Sequence, residues 1–377
     1  MFFSREAIDA IDYMPVTQQV KKRCKWLYEF STQVLAPLPG SPADPFGGAR
    51  VDINALGWAL ACVSSRAFRT RGPSHPAALL PLVDMANHSF DPNAEVLPVE
   101  GGGVGLFARK KMSAGEPVLL SYGKLGNDFL FMDYGFVMGD NPYDVVQLRF
   151  DPGLLQAGAL VANVTDALGA PLDLSPAAGG GAAWRGALLA ELGLVGPAAD
   201  TELRIGAAEE PLDPRLLAAA RVLAARSEGE VAGRGAARLC AVDRPLSRGN
   251  EEAALRAVGG ALVLALGGFG TSLDQDLALL GGSLPPSPPA PAEGAAPAPA
   301  PTSPLLRLPG GEDEALAVRF RAEKKRALQR GLARVAELVR AASGDAGLKQ
   351  TAGAGRAPKG SKPAPSTGKG FGGGGKK

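Results

Sequence analysis

The sequence has few of the residues that build metal centres and hydrolytic sites. Among its 377 residues there are two histidines, His75 and His88, and three cysteines that lie far apart. No C-x-x-C pair occurs, so we expect no structural zinc site. Two histidines also exclude a His-rich metal centre, and the absence of a G-x-S-x-G motif argues against a nucleophile-elbow serine hydrolase. The sequence therefore predicts a protein without a bound metal.

Long hydrophobic runs and a strong charge of one sign are also missing. No uninterrupted run of about 18 apolar residues occurs, so we expect no membrane span. The formal net charge is +2, which gives no reason to expect a nucleic acid as partner. The opening stretch MFFSREAIDAID contains acidic residues and has the features of neither an organelle transit peptide nor a secretory signal.

The first part of the chain mixes short strands with helices. Ser4 and Asp52 are positioned to cap helices, and the second of these helices carries an apolar stripe formed by Ile53, Leu56, Leu60 and Val63. Short apolar runs bounded by turn residues predict strands over Leu79–Asp84, Ala94–Val99, Gly103–Arg109, Pro117–Tyr122 and Val145–Phe150.

From about residue 151 onward, alanine, leucine and arginine recur at helical spacing. The spacing predicts helices over Trp184–Leu194, Asp213–Arg226, Asn250–Leu266, Ser272–Leu280 and from Glu312 to about Ala342. We expect Lys324, Lys325 and Arg326 on the last helix to be largely exposed. The composition divides the chain into domains of residues 1–150 and 151–342, with a Pro/Ala-rich loop at 285–304 and a disordered Gly/Lys-rich tail at 343–377.

Two groups of polar and aromatic residues carry the chemistry of the first domain. Asp84 precedes the triplet Asn87-His88-Ser89, which closes an apolar run where a buried strand should end. Farther on lie Tyr122-Gly123, then Asn127, and then Tyr134-Gly135-Phe136. Buried polar groups need partners, so these segments form either a polar turn or a site that faces a ligand.

In this order and spacing, the segments resemble the C-terminal half of a SET domain, the fold of S-adenosylmethionine-dependent protein lysine methyltransferases. The pattern D-x-x-NHS, SYG and N-x-x-L-x-x-DYGF is similar to the subgroup of the plant Rubisco large-subunit methyltransferase. The resemblance implies an α+β fold: a SET domain of small mixed and antiparallel sheets with inserted helices, followed by an all-helical substrate-binding domain.

The resemblance also implies a role for each residue of the pattern. Tyr122 would be the catalytic phenol that orients the amine. The S-adenosylmethionine site would be formed by Arg66 of a Ser65-Arg66-Ala67-Phe68 motif together with Asn87, His88, Tyr134 and Phe136. Phe68 and Asp84 would contribute to the substrate side of the pocket. Alone, each of these residues has an ordinary structural explanation, such as an arginine at the end of an amphipathic helix.

The second domain is similar to the helical substrate-binding domain of the same family. The matching pieces are Asn250–Leu255, Gly270–Asp276 and Ala315–Leu328. The resemblance implies a monomer that binds a protein substrate, such as the Rubisco large subunit or another abundant protein, through this domain. It leaves the location open between the chloroplast and the cytoplasm or nucleus.

The family pattern also includes earlier strands with a Gly-containing cofactor motif, and no equivalent motif occurs before residue 37. We therefore expect a pocket without that wall and weak or no cofactor binding by this chain. Two other functions stay open at this point. One is a non-catalytic scaffold that binds a protein partner through the helical domain, and the other is a protein-histidine methyltransferase.

Overall fold

The computed structural model describes residues 3–68, 77–101, 103–180, 182–281 and 310–343. His75, the Pro/Ala-rich loop predicted at 285–304 and all of the predicted tail after Ser343 lie outside the described residues.

Short strands and helices alternate in the first domain. In chain order the helices are α1 (Arg5–Ala10), α2 (Met14–Phe30), α3 (Ile53–Arg66) and α4 (Asn127–Phe129). The strands are β1 (Ala67–Phe68), β2 (Ala78–Leu79), β3 (Asn87–His88), β4 (Ala94–Pro98), β5 (Val104–Ala108), β6 (Leu119–Leu120) and β7 (Val146–Arg149). Two π turns, Ser31–Leu35 and Leu130–Tyr134, extend α2 and α4.

Among its described residues, the second domain is mostly helical and contains one strand. Its elements are α5 (Pro152–Val161), α6 (Ala182–Glu191), β8 (Glu202–Ile205), α7 (Pro214–Ala224), α8 (Glu228–Val231), α9 (Ala236–Cys240), α10 (Arg248–Gly267), α11 (Leu273–Leu280) and α12 (Glu312–Ser343). The predicted α+β class is confirmed. α5 and β8 were not predicted from the sequence. β8 pairs antiparallel with β7, so one small sheet joins the two domains. None of the described helices is both long and apolar enough to cross a bilayer.

Side-chain caps begin several helices where the sequence predicted them. The Ser4 hydroxyl accepts a hydrogen bond from the Ala7 amide at 3.1 Å, and the Asp52 carboxylate accepts one from Ala55 at 2.7 Å. Ser272 and Gln275 form a reciprocal capping box at the start of α11. Each cap satisfies an amide that has no partner within the helix, which explains why these helices begin where they do.

The described strands pair only two at a time. β1 pairs with β2 and β4 with β5, both antiparallel, whereas β3 and β6 are parallel. The predicted strand over Leu79–Asp84 is wrong beyond Leu79. The chain turns at Leu82, which has a left-handed φ of 72°, and forms a 3-10 turn over Val83–Met85.

The apolar stripe predicted for α3 does not face a core. Ile53, Leu60 and Val63 are 40%, 37% and 51% exposed, and Gly57 is the buried residue of the helix. α3 contacts α2 and the Leu130–Tyr134 turn. Helices approach closely where side chains are small, so the Gly57 side of α3 is the buried one although the larger apolar residues lie elsewhere.

The main hydrophobic core lies between the helices of the second domain and extends into the first domain through Ile11, Val16, Val20 and Phe131. α10 contacts α5, α7 and α12, and α12 also contacts α1, α11, β7 and β8. Because α12 is covered on so many sides, the prediction that its cations are largely exposed is wrong for Lys324 and Lys325, which are both 0% exposed, and Arg326 is half-buried. A second, much smaller core of Ala86, Ala94 and Leu120 lies in the first domain.

The crossing of α5 and α10 requires glycine on both helices. A Cβ added at Gly260 would lie 1.9 Å from the Gly158 carbonyl oxygen, and one added at Gly158 would lie 2.4 Å from the Ala257 carbonyl oxygen. These neighbours are backbone atoms that cannot rotate away. We predict that Gly260→Ala lowers the free energy of unfolding by about 3 kcal/mol, measured by denaturant titration.

Gly249, on the same helix, is the matched control, because a Cβ there meets no atom within 4 Å. Gly249→Ala should stabilise the protein by roughly 0.5–1 kcal/mol, since alanine loses less backbone entropy in a helix. Equal effects of the two substitutions would show that the close crossing does not limit packing.

Candidate active site

The parallel pairing of β3 with β6 brings the Asn-His-Ser segment beside the Ser-Tyr-Gly segment. Asn87 lies opposite Leu119 and His88 opposite Leu120, and the Ser89 amide donates to the Leu120 carbonyl at 2.8 Å. Two segments more than 30 residues apart in sequence are thus joined by backbone hydrogen bonds. Alternate side chains of a strand point to opposite faces, so His88 is buried while Asn87 is exposed.

His88 and Tyr122 form the centre of the site. The Tyr122 backbone amide donates to His88 Nδ1 at 3.1 Å, and the two rings stack with centroids 5.2 Å apart. Because Nδ1 accepts this hydrogen bond, the neutral imidazole carries its proton on Nε2. That nitrogen is buried and has no hydrogen-bond partner among the described residues. Burial lowers the pKa of His88, against a smaller opposing effect of the Leu120 carbonyl.

The Tyr122 hydroxyl is also fixed. It donates to the Ala86 carbonyl at 2.7 Å, which commits its proton and leaves its oxygen free to accept. Burial raises the pKa of Tyr122 above its usual value of 10.0, and the nearby Arg66 charge partly offsets this shift. The phenol is therefore protonated at neutral pH.

Two further rings complete an aromatic cluster, which we define as His88, Tyr122, Tyr134 and Phe136. Tyr134 stacks on Tyr122 with centroids 4.9 Å apart, and Phe136 lies 6.4 Å from Tyr122 and 6.2 Å from His88. Burial raises the pKa of Tyr134 as well. The cluster brings together, from separate segments, four of the residues that the sequence analysis assigned to the pocket.

The segment that carries Tyr134 and Phe136 has little regular structure and is held by side chains. It contains the π turn Leu130–Tyr134, and Gly135 follows with a left-handed φ of 77°, which suits glycine. On the outer side, Arg23 of α2 donates to the Asp133 carboxylate at 3.0 Å. π turns occur often at functional sites, and here the turn aims the Tyr134 ring at Tyr122.

Arg66 and Asp84 form an ion pair beside the cluster. Arg66 Nη1 lies 3.0 Å from Asp84 Oδ2 and 3.2 Å from the Asp84 carbonyl oxygen. The two charges act in opposite directions on the pKa of Tyr122, Arg66 lowering it and Asp84 raising it. The Arg66 side chain remains 46% exposed, so part of the guanidinium is free for another anion. Phe68 packs with Tyr122 against the small core of Ala86, Ala94 and Leu120.

Asn87 is the predicted residue that the structure does not place against the rings, since it is exposed on the opposite face of β3 from His88. Its role in cofactor binding stays a prediction. Phe90 was not predicted as part of the site, but its ring lies edge-on to His88 at 4.6 Å and also contacts Tyr143. Its position one residue after the Asn-His-Ser triplet was the available signal.

The buried imidazole should have a measurably low pKa. We predict that His88 titrates below 6.5, its ordinary pKa, because burial disfavours the charged ring. The unfolded chain then takes up this proton before the folded one does. His88 therefore costs stability as the pH falls below 6.5, and at higher pH the cost disappears.

NMR of the histidine Cε1–H groups measures this pKa directly, since the sequence has only two histidines and a His75→Gln variant assigns the signals. A His88 midpoint at or above 6.5 would contradict the buried, neutral ring.

Comparison with protein-family models gives two matches along the chain. The SET domain model matches residues 11–123, and the Rubisco LSMT substrate-binding model matches residues 181–328. The first match contains the Arg66 motif and the Asn-His-Ser and Ser-Tyr-Gly segments. The second contains α6 to α11 and the first half of α12.

Two curated relatives come from Schizosaccharomyces pombe. Ribosomal lysine N-methyltransferase set11 is 28% identical over 102 residues, which are 26% of this chain and 26% of the relative. Ribosomal lysine N-methyltransferase set10 is 31% identical over 128 residues, which are 33% of this chain and 22% of the relative. The matched regions thus span about a quarter of the length of these relatives.

Among solved structures, the chain is similar to Rubisco LSMT bound to AdoMet, with a TM-score of 0.55 and 18% identity over 91% of this chain and 68% of the other. The SET domain of LSMT bound to methyllysine and AdoHcy gives a TM-score of 0.54 and 20% identity, with the same coverage. At this identity the likeness concerns the fold. The two family matches show a SET domain in residues 11–123 and a Rubisco LSMT substrate-binding domain in residues 181–328.

Proposed function

We propose that this protein is a protein-lysine N-methyltransferase that uses S-adenosylmethionine. The observation that carries the proposal is the aromatic cluster, in which a fixed and protonated Tyr122 phenol lies among three other rings. A SET domain and a substrate-binding domain in one chain support it, as do relatives named as ribosomal lysine methyltransferases.

The residues present fit the cofactor. The Nε2–H of His88 is a buried donor that lacks an acceptor among the described residues, so a ligand acceptor would satisfy it. The partly exposed guanidinium of Arg66 can pair with a carboxylate such as that of the amino-acid part of S-adenosylmethionine. When bound, the cofactor supplies an electrophilic methyl group on a sulfonium centre. The ring faces of Tyr134 and Phe136 offer favourable contacts to a cation of this kind.

Tyr122 can orient the attacking amine. Its proton is committed to the Ala86 carbonyl, so its oxygen accepts a hydrogen bond from a neutral amine N–H. This contact turns the nitrogen lone pair in one fixed direction. With the cofactor held by His88 and Arg66, the lone pair oriented by Tyr122 would face the methyl group that the cofactor supplies, and the amine would release a proton to solvent. Most of the rate enhancement then comes from positioning.

The rings also keep the amine neutral. A lysine in water has a pKa of about 10.4 and is protonated at neutral pH. Placing it beside the Tyr122 hydroxyl, against the outside of the stacked rings, removes water and lowers the pKa of its ammonium group. The site therefore needs no strong general base.

We infer that the substrate is a lysine of an abundant protein, bound through the helical domain. The two relatives are named for ribosomal targets and the solved neighbour for Rubisco, so a ribosomal protein and the Rubisco large subunit are the candidates.

Mass spectrometry of cells with and without the gene tests the proposal, and loss of one methyllysine on such a protein is the expected result. Loss of a methylhistidine would favour the histidine methyltransferase. No lost methyl mark, together with no binding of S-adenosylhomocysteine to the purified protein in calorimetry, would favour the scaffold.

Replacing Tyr122 should separate turnover from cofactor binding. We predict that Tyr122→Phe lowers kcat about a hundredfold, corresponding to roughly 3 kcal/mol, because one preorganised hydrogen-bond group is lost. The affinity for S-adenosylhomocysteine should hardly change, since the hydroxyl faces the amine. A methyl-transfer assay and calorimetry measure the two quantities.

Tyr28→Phe is the control, because Tyr28 is an exposed tyrosine on α2, 63% accessible, whose hydroxyl has no part in the site. If Tyr122→Phe abolished cofactor binding and left the turnover of bound enzyme unchanged, Tyr122 would be a structural residue and the mechanism would fail.

A further inference from the structure

Lys324 is a charged residue without solvent contact, and all its polar contacts in the described structure lie in one region outside its own helix. Its Nζ lies 2.6 Å from Asp144 Oδ1 and 2.9 Å from the Val145 carbonyl, and it also contacts Asp128 Oδ1. The first two contacts are hydrogen bonds, and the contact with Asp128 is an ion pair. Helix α12 of the second domain therefore makes a buried ionic contact with the segment that follows the Ser-Tyr-Gly motif.

The Asp144 carboxylate, which binds Lys324, also binds Asn127. Its Oδ1 accepts from the Asn127 amide at 2.9 Å, and its Oδ2 accepts from Asn127 Nδ2 at 3.0 Å. A carboxylate held by Lys324 therefore fixes both the backbone and the side chain of Asn127, which is fully buried.

Asn127 in turn binds the far end of the segment that carries the rings, which closes this segment into a loop. Its Nδ2 donates to the Met138 carbonyl and its Oδ1 accepts from the Met138 amide, both at 3.0 Å. Residues 127 and 138 are thereby tied together, and Tyr134 and Phe136 lie between them. This closure fixes the ends of the segment that bears both rings, while the Arg23–Asp133 ion pair and the buried side chains of Leu130 and Phe131 hold the π turn between them.

We propose that Lys324 is a positioning residue, through which the substrate-binding domain sets the orientation of Tyr134 and Phe136 in the methyl-transfer site. The path runs from Lys324 through Asp144 and Asn127 to the ring-bearing segment. The kinetic part of this inference rests on the proposed methyltransferase function, whereas the structural part does not.

The neighbouring lysine provides a matched control. Lys325 is equally buried, and its Nζ lies 2.5 Å from Asp276 Oδ2 and 2.7 Å from Thr271 Oγ1. Both partners belong to the helical domain, so Lys325 has the same charge and burial without the contact to the Asp144 region. A purely structural role of buried lysines predicts equal consequences for both positions, because either loss leaves a buried carboxylate with fewer partners.

Lys324→Met and Lys325→Met in the full chain distinguish the two roles. In Lys324→Met we expect hydrogen exchange of the amides of residues 127–138 to accelerate about tenfold or more as the closure opens locally. We also expect kcat to fall about a hundredfold while KM for the protein substrate changes little, since misplaced rings act on turnover. In Lys325→Met, exchange should rise around Thr271 and Asp276 and stay unchanged at 127–138.

Should Lys324→Met fail to fold, Asp128→Asn serves instead, because it keeps the Lys324–Asp144 pair and removes one contact. It should accelerate exchange at residues 127–138 more than Lys325→Met does, and no difference between these two variants would contradict the inference.

Equal exchange at 127–138 in the two lysine variants would overturn the inference, as would an equal loss of kcat. If the unmodified protein transfers no methyl group, the proposed function fails, but the exchange comparison still decides whether Lys324 holds the segment.

Discussion

The structure depends on cations that α12 carries into the protein interior. Arg321, Lys324 and Lys325 are all fully buried, and each meets a carboxylate at Asp276 or Asp144. Removing a charge from water costs several kcal/mol, and the cost is offset when the ion is paired and hydrogen-bonded. Burial lowers the pKa of Lys325 while Asp276 raises it, which shows both sides of this balance in one residue. Of these ion pairs, Lys324–Asp144 is the one that joins the two domains, so separating the domains would leave that lysine and that carboxylate without each other.

The contacts of these cations reach both domains. Arg321 also donates to the Ala10 carbonyl at 3.0 Å, at the end of α1, and Lys324 binds the Asp144 region. The pairing of β7 with β8 adds a backbone connection between the domains. A buried ion pair contributes less to stability than its short distance indicates, but its geometry is specific. We infer that these contacts determine how the helical domain sits against the candidate site.

The site itself is assembled from short and irregular segments. β3 and β6 have two residues each, and the ring-bearing segment is a π turn followed by a left-handed glycine. What holds the rings in place is a set of hydrogen bonds between side chains and backbone, at Tyr122, His88 and Asn127. A preorganised phenol needs such support, because a pocket that catalyses by positioning must keep its groups fixed.

The sequence by itself determined the order of the motifs, the two-domain division and most helices, because apolar period, caps and turn residues are local signals. The sequence also predicted that His88, Tyr122, Tyr134 and Phe136 lie in one site, since their order matched a known pattern. Only the tertiary structure decided that Lys324 and Lys325 are buried, that Ile53 and Val63 are exposed, and that Asn87 faces away from the rings. Burial depends on which elements pack around a residue. The sequence of a charged helical run is the same whether its side chains face water or a carboxylate such as Asp144. The role of Lys324 was hidden for this reason: its partners lie about 180 residues away in sequence.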